Sequence, residues 1–184
     1  MFVDMMCYLA ISMSLKVQGV SAQGGMFMRI GLNLLHAMPE IGGGWNYIDN
    51  VVRTLARYDD TNTYIAYVSR ESQALLPDKH NMHGYHVQIN AKNRIERIAC
   101  ENTTLQRLAK LHRLDCIHWF GNVQAPFSRV PSVVTVHDLI VYNDPGSVPL
   151  VKRLYLRSMF RNTVHHCRVL LPISQATARD LEVR

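Results

Sequence analysis

The chain has 184 residues, 48% hydrophobic and 18% charged, with a net charge of +6. That size and balance suit one domain burying roughly 70% of its unfolded surface, and they exclude a disordered, collagen-like or disulfide-stapled chain. Cys7, Cys100, Cys116 and Cys167 are scattered, with no C-x-x-C pair, so neither a zinc ribbon nor a dithiol redox motif is offered and a reducing compartment is expected.

Residues 5–15 form a short apolar run, well under the ~18 residues needed to cross a bilayer. Val20-Ser21-Ala22 has the form of a signal-peptidase site, but the region before the run carries Asp4 and no Lys or Arg. Residues 1–27 are therefore read as an N-terminal extension or start-site artefact, and the domain as residues 28–184. Residues 29–35 form a short apolar run ended by turn-rich 36–44, which suits a buried strand. Residues 45–58 place Ile48, Val51, Val52 and Leu55 at helical spacing. Strands follow at 64–69 and 85–89, the latter alternating Tyr85, Val87 and Ile89. One helix is expected over 93–114, with Leu105, Leu108, Ala109 and Leu111 on its apolar face. Strands at 116–120 and 133–137, a helix at 150–165, a strand at 169–173 and a helix opening at Ser174 complete the pattern. Strands alternating with helices imply right-handed βαβ units: an α/β, Rossmann-like parallel sheet with helices on both faces.

Ligands of such sheets bind beyond the carboxyl ends of the strands, which selects four loops. These carry Gly42-Gly43-Gly44, Gly121-Asn122, His137-Asp138 and Ser174. The glycine triplet precedes a helix, so its backbone N–H groups can hold an anion, or the triplet is simply a strand–helix turn. It lacks the dinucleotide spacing, since Tyr47 stands where the last glycine belongs, and it has no G-K-[ST]. His137, at a strand end, can bond a substrate hydroxyl or accept a proton, with Asp138 orienting it or capping the next turn; a purely structural histidine is the other reading. Ser174 reads as an N-cap, and no G-x-S-x-G elbow surrounds it. His80, His83 and His86 are spaced like metal ligands but run from a loop into a strand, so no metal site is assigned. His165-His166, ending the helix, suit its carboxyl-terminal dipole.

Between residues 145 and 179 there is no acidic side chain, while Lys152, Arg153, Arg157, Arg161, Arg168 and Arg179 fall there. A patch of this kind suits phosphates or acidic lipid, or is a solvated helix face. Aromatics are not interleaved with it, so nucleic acid is not expected.

Met28-Arg29-Ile30-Gly31 followed by the run Gly42 to Leu55, then Val133-Val134-Thr135-Val136-His137-Asp138-Leu139-Ile140, then Pro172-Ile173-Ser174-Gln175-Ala176-Thr177-Ala178-Arg179-Asp180-Leu181, come in one order. Together they resemble the N-terminal half of GT-B glycosyltransferases of the retaining family 4, over about residue 28 to the end. The resemblance implies a hexosyltransferase that moves a sugar from a nucleotide-sugar, as co-substrate, to a glycan or lipid-linked acceptor with retained anomeric configuration. It implies no metal or other cofactor. Gly43 and Gly44 would bring N–H groups near the donor diphosphate or the acceptor, and His137 would contact the transferred sugar and stabilise developing charge. Gly42, Asn122, Asp138 and Ser174 complete the expected substrate-binding set. Trp45 departs from the smaller or polar residue usual in the family. The donor-binding domain, with its E-x7-E pair, is absent from these 184 residues, so the chain is expected to be a truncated form, inactive alone, needing such a domain as partner. The expected location is cytoplasmic, at the inner face of the membrane through Lys152, Arg153, Arg157 and Arg161. A non-catalytic glycan- or phosphate-binding module and a structural interaction domain remain as alternatives.

Overall fold

A computed structural model describes residues 27–183. The extension expected over residues 1–27, including Cys7, lies almost wholly outside the described residues. Six strands form one parallel sheet: β1 (Arg29–Asn33), β2 (Thr63–Val68), β3 (Met82–His86), β4 (Cys116–Trp119), β5 (Ser132–Val136) and β6 (Val169–Pro172). Their order is β3-β2-β1-β4-β5-β6. The chain winds outward from β1 through β2 to β3, returns to pair β4 on the other side of β1, and winds outward again. β1 and β4 stay paired to their carboxyl ends, Asn33 against Trp119, and flank the point where the winding reverses, which is where sheets of this kind leave a crevice between the connections that follow the strands.

Alternation along the strands divides the core into two faces. Ile30, Leu32, Tyr64, Ala66, Cys116 and Val133 pack with α1 (Gly43–Tyr58) through Ile48, Val51, Val52 and Leu55. Each such buried side chain contributes about 1.5–3 kcal/mol. Ile65, Tyr67, Ile117, Trp119 and Val134 pack on the other face against α2 (Arg94–Asn102) and α3 (Thr104–Leu111). A short helix, α4 (Ile140–Asn143), follows β5. Phe160 of α5 (Leu150–His166) joins Val136 and Leu139 in a third cluster, against which Leu181 of α6 (Gln175–Glu182) packs.

Two expectations need correction. The single helix over 93–114 is two helices, broken at Thr103. Asn102 Nδ2 donates to Ile98 O at 2.8 Å and Thr103 Oγ1 to Ala99 O at 2.7 Å, so side chains take carbonyls that the helix ladder would otherwise use. Asn93 starts α2 by accepting from the N–H groups of Ile95 and Glu96. The third strand begins at Met82, three residues before the expected start. As an edge strand it pairs only with β2, and most of its side chains are exposed, so apolar alternation marks the covered residues and not the ladder. The remaining elements agree with expectation to within one or two residues, and α4 was not anticipated.

Candidate functional site

A cavity of about 450 Å³ opens at the carboxyl ends of β1, β4 and β5. Gly44, Asn122, His137 and Asp138 line it, so three of the four loops selected from sequence meet there. Gly42 and Gly43 are not part of the lining, and neither is Ser174.

His137 leaves the end of β5 held at three points. Its backbone N–H donates to Asn122 Oδ1 at 2.7 Å, its carbonyl accepts from Thr177 Oγ1 at 3.3 Å, and its ring Nε2 donates to Phe120 O at 2.7 Å. A bond to a carbonyl requires the proton on Nε2, which leaves Nδ1 as the acceptor of the neutral ring. Tyr47 meets the ring edge-on at 5.2 Å. Asn122 also donates from Nδ2 to Asp138 O at 3.1 Å, so both ends of its amide brace the backbone at 137 and 138. Asp138 Oδ1 accepts from Ile140 N at 3.1 Å, which closes the turn after the strand.

Ser174 is the N-cap of α6: its Oγ accepts from Thr177 N at 3.1 Å. It acts on the site through Thr177, whose hydroxyl reaches the His137 carbonyl. Gly42 caps α1 at φ 59° and ψ −113°, a conformation open in practice to glycine, and no side chain caps that end. Gly44, two residues on, is the member of the triplet that faces the cavity.

Sequence reasoning missed one wall. Arg94, Arg97 and Glu101 of α2 line the cavity with Asn33, His36, Trp119 and, from α5, Tyr155. The spacing of 94, 97 and 101 on one helical face was the available signal, and charged residues so placed read equally as a solvated face. His36 has its imidazole pulled down to about 4, chiefly by burial and then by Arg97 and His137, with the Phe120 carbonyl opposing. His118, beneath the site on β4, falls to about 3 through burial, with His137 adding. Its Nε2 is hydrogen-bonded to Thr135 Oγ1 at 2.8 Å. Burial raises the Glu101 carboxyl, which Asn33 and Arg97 counteract.

The three cysteines among the described residues are held as thiols. Burial raises Cys100, pushes Cys116 up to about 12 and Cys167 to about 11. His80, His83 and His86 are exposed along the β3 edge, and among the described residues no three His, Cys, Asp or Glu side chains group as metal ligands. Of the basic helix, Arg157 Nε donates to Val141 O at 2.9 Å and its guanidinium covers the Tyr142 ring, while Arg153 donates to Pro145 O. Lys152 and Arg161 are exposed. Among the described residues no helix is long and apolar enough to cross a membrane.

A search of curated proteins gives no match. The sequence model of Glycosyltransferase Family 4 matches residues 41–184, from the turn before α1 through α6. With that match and a six-stranded Rossmann-like sheet wound around β1 and β4, the chain belongs to glycosyltransferase family 4, as its N-terminal domain of the GT-B type.

Proposed function

We propose that this glycosyltransferase domain forms the acceptor side of a retaining enzyme that takes a sugar from a nucleotide-sugar. The observation that carries the reading is His137: a ring fixed at the cavity by Phe120 O and Asn122, with Nδ1 left as acceptor. A hydroxyl of the transferred sugar donates to Nδ1, which leaves more electron density on that hydroxyl oxygen beside the positive charge developing on the sugar. The bond from the anomeric carbon to the acceptor oxygen forms as the bond to the diphosphate breaks, and the acceptor's proton leaves with the diphosphate. The uncapped N-terminus of α1 at Gly44 supplies N–H groups for an anionic oxygen. No resident metal or cofactor is required in this reading. In this reading the donor site, with its carboxylate pair and basic side chains, is supplied by a second α/β domain.

The test is transfer from radiolabelled nucleotide-sugars by the chain alone and fused to the donor-binding domain of a characterised family 4 enzyme. Transfer by the fusion alone, with the anomeric configuration retained in the product by NMR, is expected. An inverted product contradicts the reading.

We further propose that a lipid surface brings the acceptor. Leu150, Leu154 and Arg161 of α5 are exposed at a spacing of four and seven residues, with Val151 81% exposed beside them. Arg153 and Arg157 hold carbonyls within the fold, so Arg161→Glu and Leu154→Glu are the informative changes. Each is expected to lower sedimentation with phosphatidylglycerol vesicles several-fold, and unchanged sedimentation contradicts the contact.

A further inference from the structure

The end of the sheet opposite the crevice carries a second cavity, of about 1230 Å³, at the amino-terminal ends of β1 and β4. Three separate parts of the chain bring cations to it. Arg29 begins β1, Arg107, Lys110 and Arg113 lie on α3 and just beyond it, and Arg129 stands in the loop between β4 and β5. One carboxylate, Asp115, lines the cavity too, and its Oδ2 is already engaged by Arg29 N at 2.7 Å. Arg29 Nε donates to His112 O at 2.8 Å. Arg107, Lys110, Arg113 and Arg129 are exposed and make no ion pair among the described residues. Five cations thus face one carboxylate, an excess of four positive charges in one lining.

Cations at the end of a helix are ordinarily explained by its dipole. That accounts for Lys110 but not for Arg29 and Arg129, which belong to no helix. Arg113 points further. Leu114 N donates to Ala109 O at 3.0 Å and Arg113 N to Lys110 O at 3.1 Å, the paired bonds that close a helix on a left-handed residue. Glycine is the usual occupant of that position. Arg113 holds it at φ 52°, the one non-glycine residue with a positive φ among the described residues. The fold keeps an unfavourable backbone where the side chain is a guanidinium at the cavity. The same two bonds take up carbonyls that would otherwise turn negative dipoles toward an anion.

Guanidinium groups meet phosphate oxygens two at a time, and four of the five cations are arginines. One phosphate of charge about −2 balances two of them, so an excess of four suits two or more linked phosphates. Phe27 and Phe127, 60% and 73% exposed, line the same cavity and set flat apolar faces beside the cations, a combination on which a base stacks.

We propose that Arg29, Arg107, Lys110, Arg113 and Arg129 form a binding site for an oligophosphate, two or more linked phosphate groups, free or carried on a nucleoside. The site lies at the far end of the sheet from the crevice, and its occupant takes no part in the transfer.

The 184-residue chain is titrated by calorimetry with tripolyphosphate, ATP and sulfate at one ionic strength, about 0.15 M, so that general screening is constant. Expected is saturable binding of tripolyphosphate, ATP or both, with sulfate at least about tenfold weaker. Tripolyphosphate binding as tightly as ATP or tighter assigns the phosphate chain alone, and tighter ATP adds the base. Arg107→Gln and Arg129→Gln should each weaken binding about fivefold or more, while Arg161→Gln, the same loss of charge on α5, leaves it unchanged. Arg113→Gly separates backbone from side chain. It relieves the left-handed strain, so the urea midpoint should not fall, yet affinity should drop by a similar factor. No binding of either oligophosphate overturns the proposal, as does sulfate binding as tightly. An equal loss in Arg161→Gln, or parental affinity in Arg113→Gly, overturns it too.

Discussion

Asn122 shows how one side chain sets the geometry of another. Its amide accepts from His137 N and donates to Asp138 O, so it aligns the strand end on which the imidazole stands. Asn122→Ala leaves both groups without these partners and is expected to cost about 1–3 kcal/mol in urea unfolding, with a further loss of transfer from the displaced ring. Asn122→Asp keeps the acceptor for His137 N but sets a carboxylate oxygen against the Asp138 carbonyl, so it too should destabilise; an Asn122→Asp chain as stable as the parent would contradict the bracing role. The same region sets the response to acid. His36 and His118 have folded values of about 4 and about 3, below the ordinary 6.5. Between those values and 6.5 the unfolded chain binds protons that the folded one refuses, so stability falls as pH drops through that window. Glu101, raised by burial, works in the opposite sense: its share of stability falls as pH rises from 4.5 through its folded value. Two histidines outweigh one partly compensated carboxyl, and the urea midpoint should decline from pH 7 to pH 4, less steeply in His118→Gln. A flat profile in the parent chain would contradict the burial of these rings.

At the scale of elements, legibility followed the local signal. α1 was readable because Ile48, Val51, Val52 and Leu55 repeat at helical spacing and all four are buried. The break between α2 and α3 was not, because it depends on where the Asn102 and Thr103 side chains find carbonyls, a competition that composition alone leaves open. The α2 wall escaped for a related reason. Arg94, Arg97 and Glu101 look like a solvated face until tertiary packing places them over β1 and β4, and only then does Asn33, some seventy residues earlier, become a partner of Glu101. Ser174 was legible as a cap, and the structure gives it that part. The start of α2 offers a direct test. Asn93 accepts from two N–H groups, so Asn93→Ala should cost about 1 kcal/mol of stability by thermal or urea unfolding. An unchanged midpoint would contradict the capping role.

The molecule as a whole places its chemistry by topology. Strand order β3-β2-β1-β4-β5-β6 leaves a single reversal of winding, beside β1, and the glycine turn before α1, the loop after β4 and the end of β5 meet there. That convergence was readable because alternating strands and helices fix the parallel sheet, and a parallel sheet fixes which ends of its strands matter. The balance of donors and acceptors inside the crevice was not readable, since it comes from side chains far apart in the sequence. His137 is the residue on which these levels agree: the end of a strand, the neighbour of the reversal, and a ring whose free nitrogen its own hydrogen bonds define. The most direct measurement is therefore transfer by the fused enzyme carrying His137→Ala beside Ser174→Ala. The account predicts a fall of about 100-fold or more in kcat for His137→Ala, beyond the stability lost with its bond to Phe120 O, and a stability loss with a far smaller loss of rate for Ser174→Ala. Equal rates for His137→Ala and the parent enzyme would contradict it.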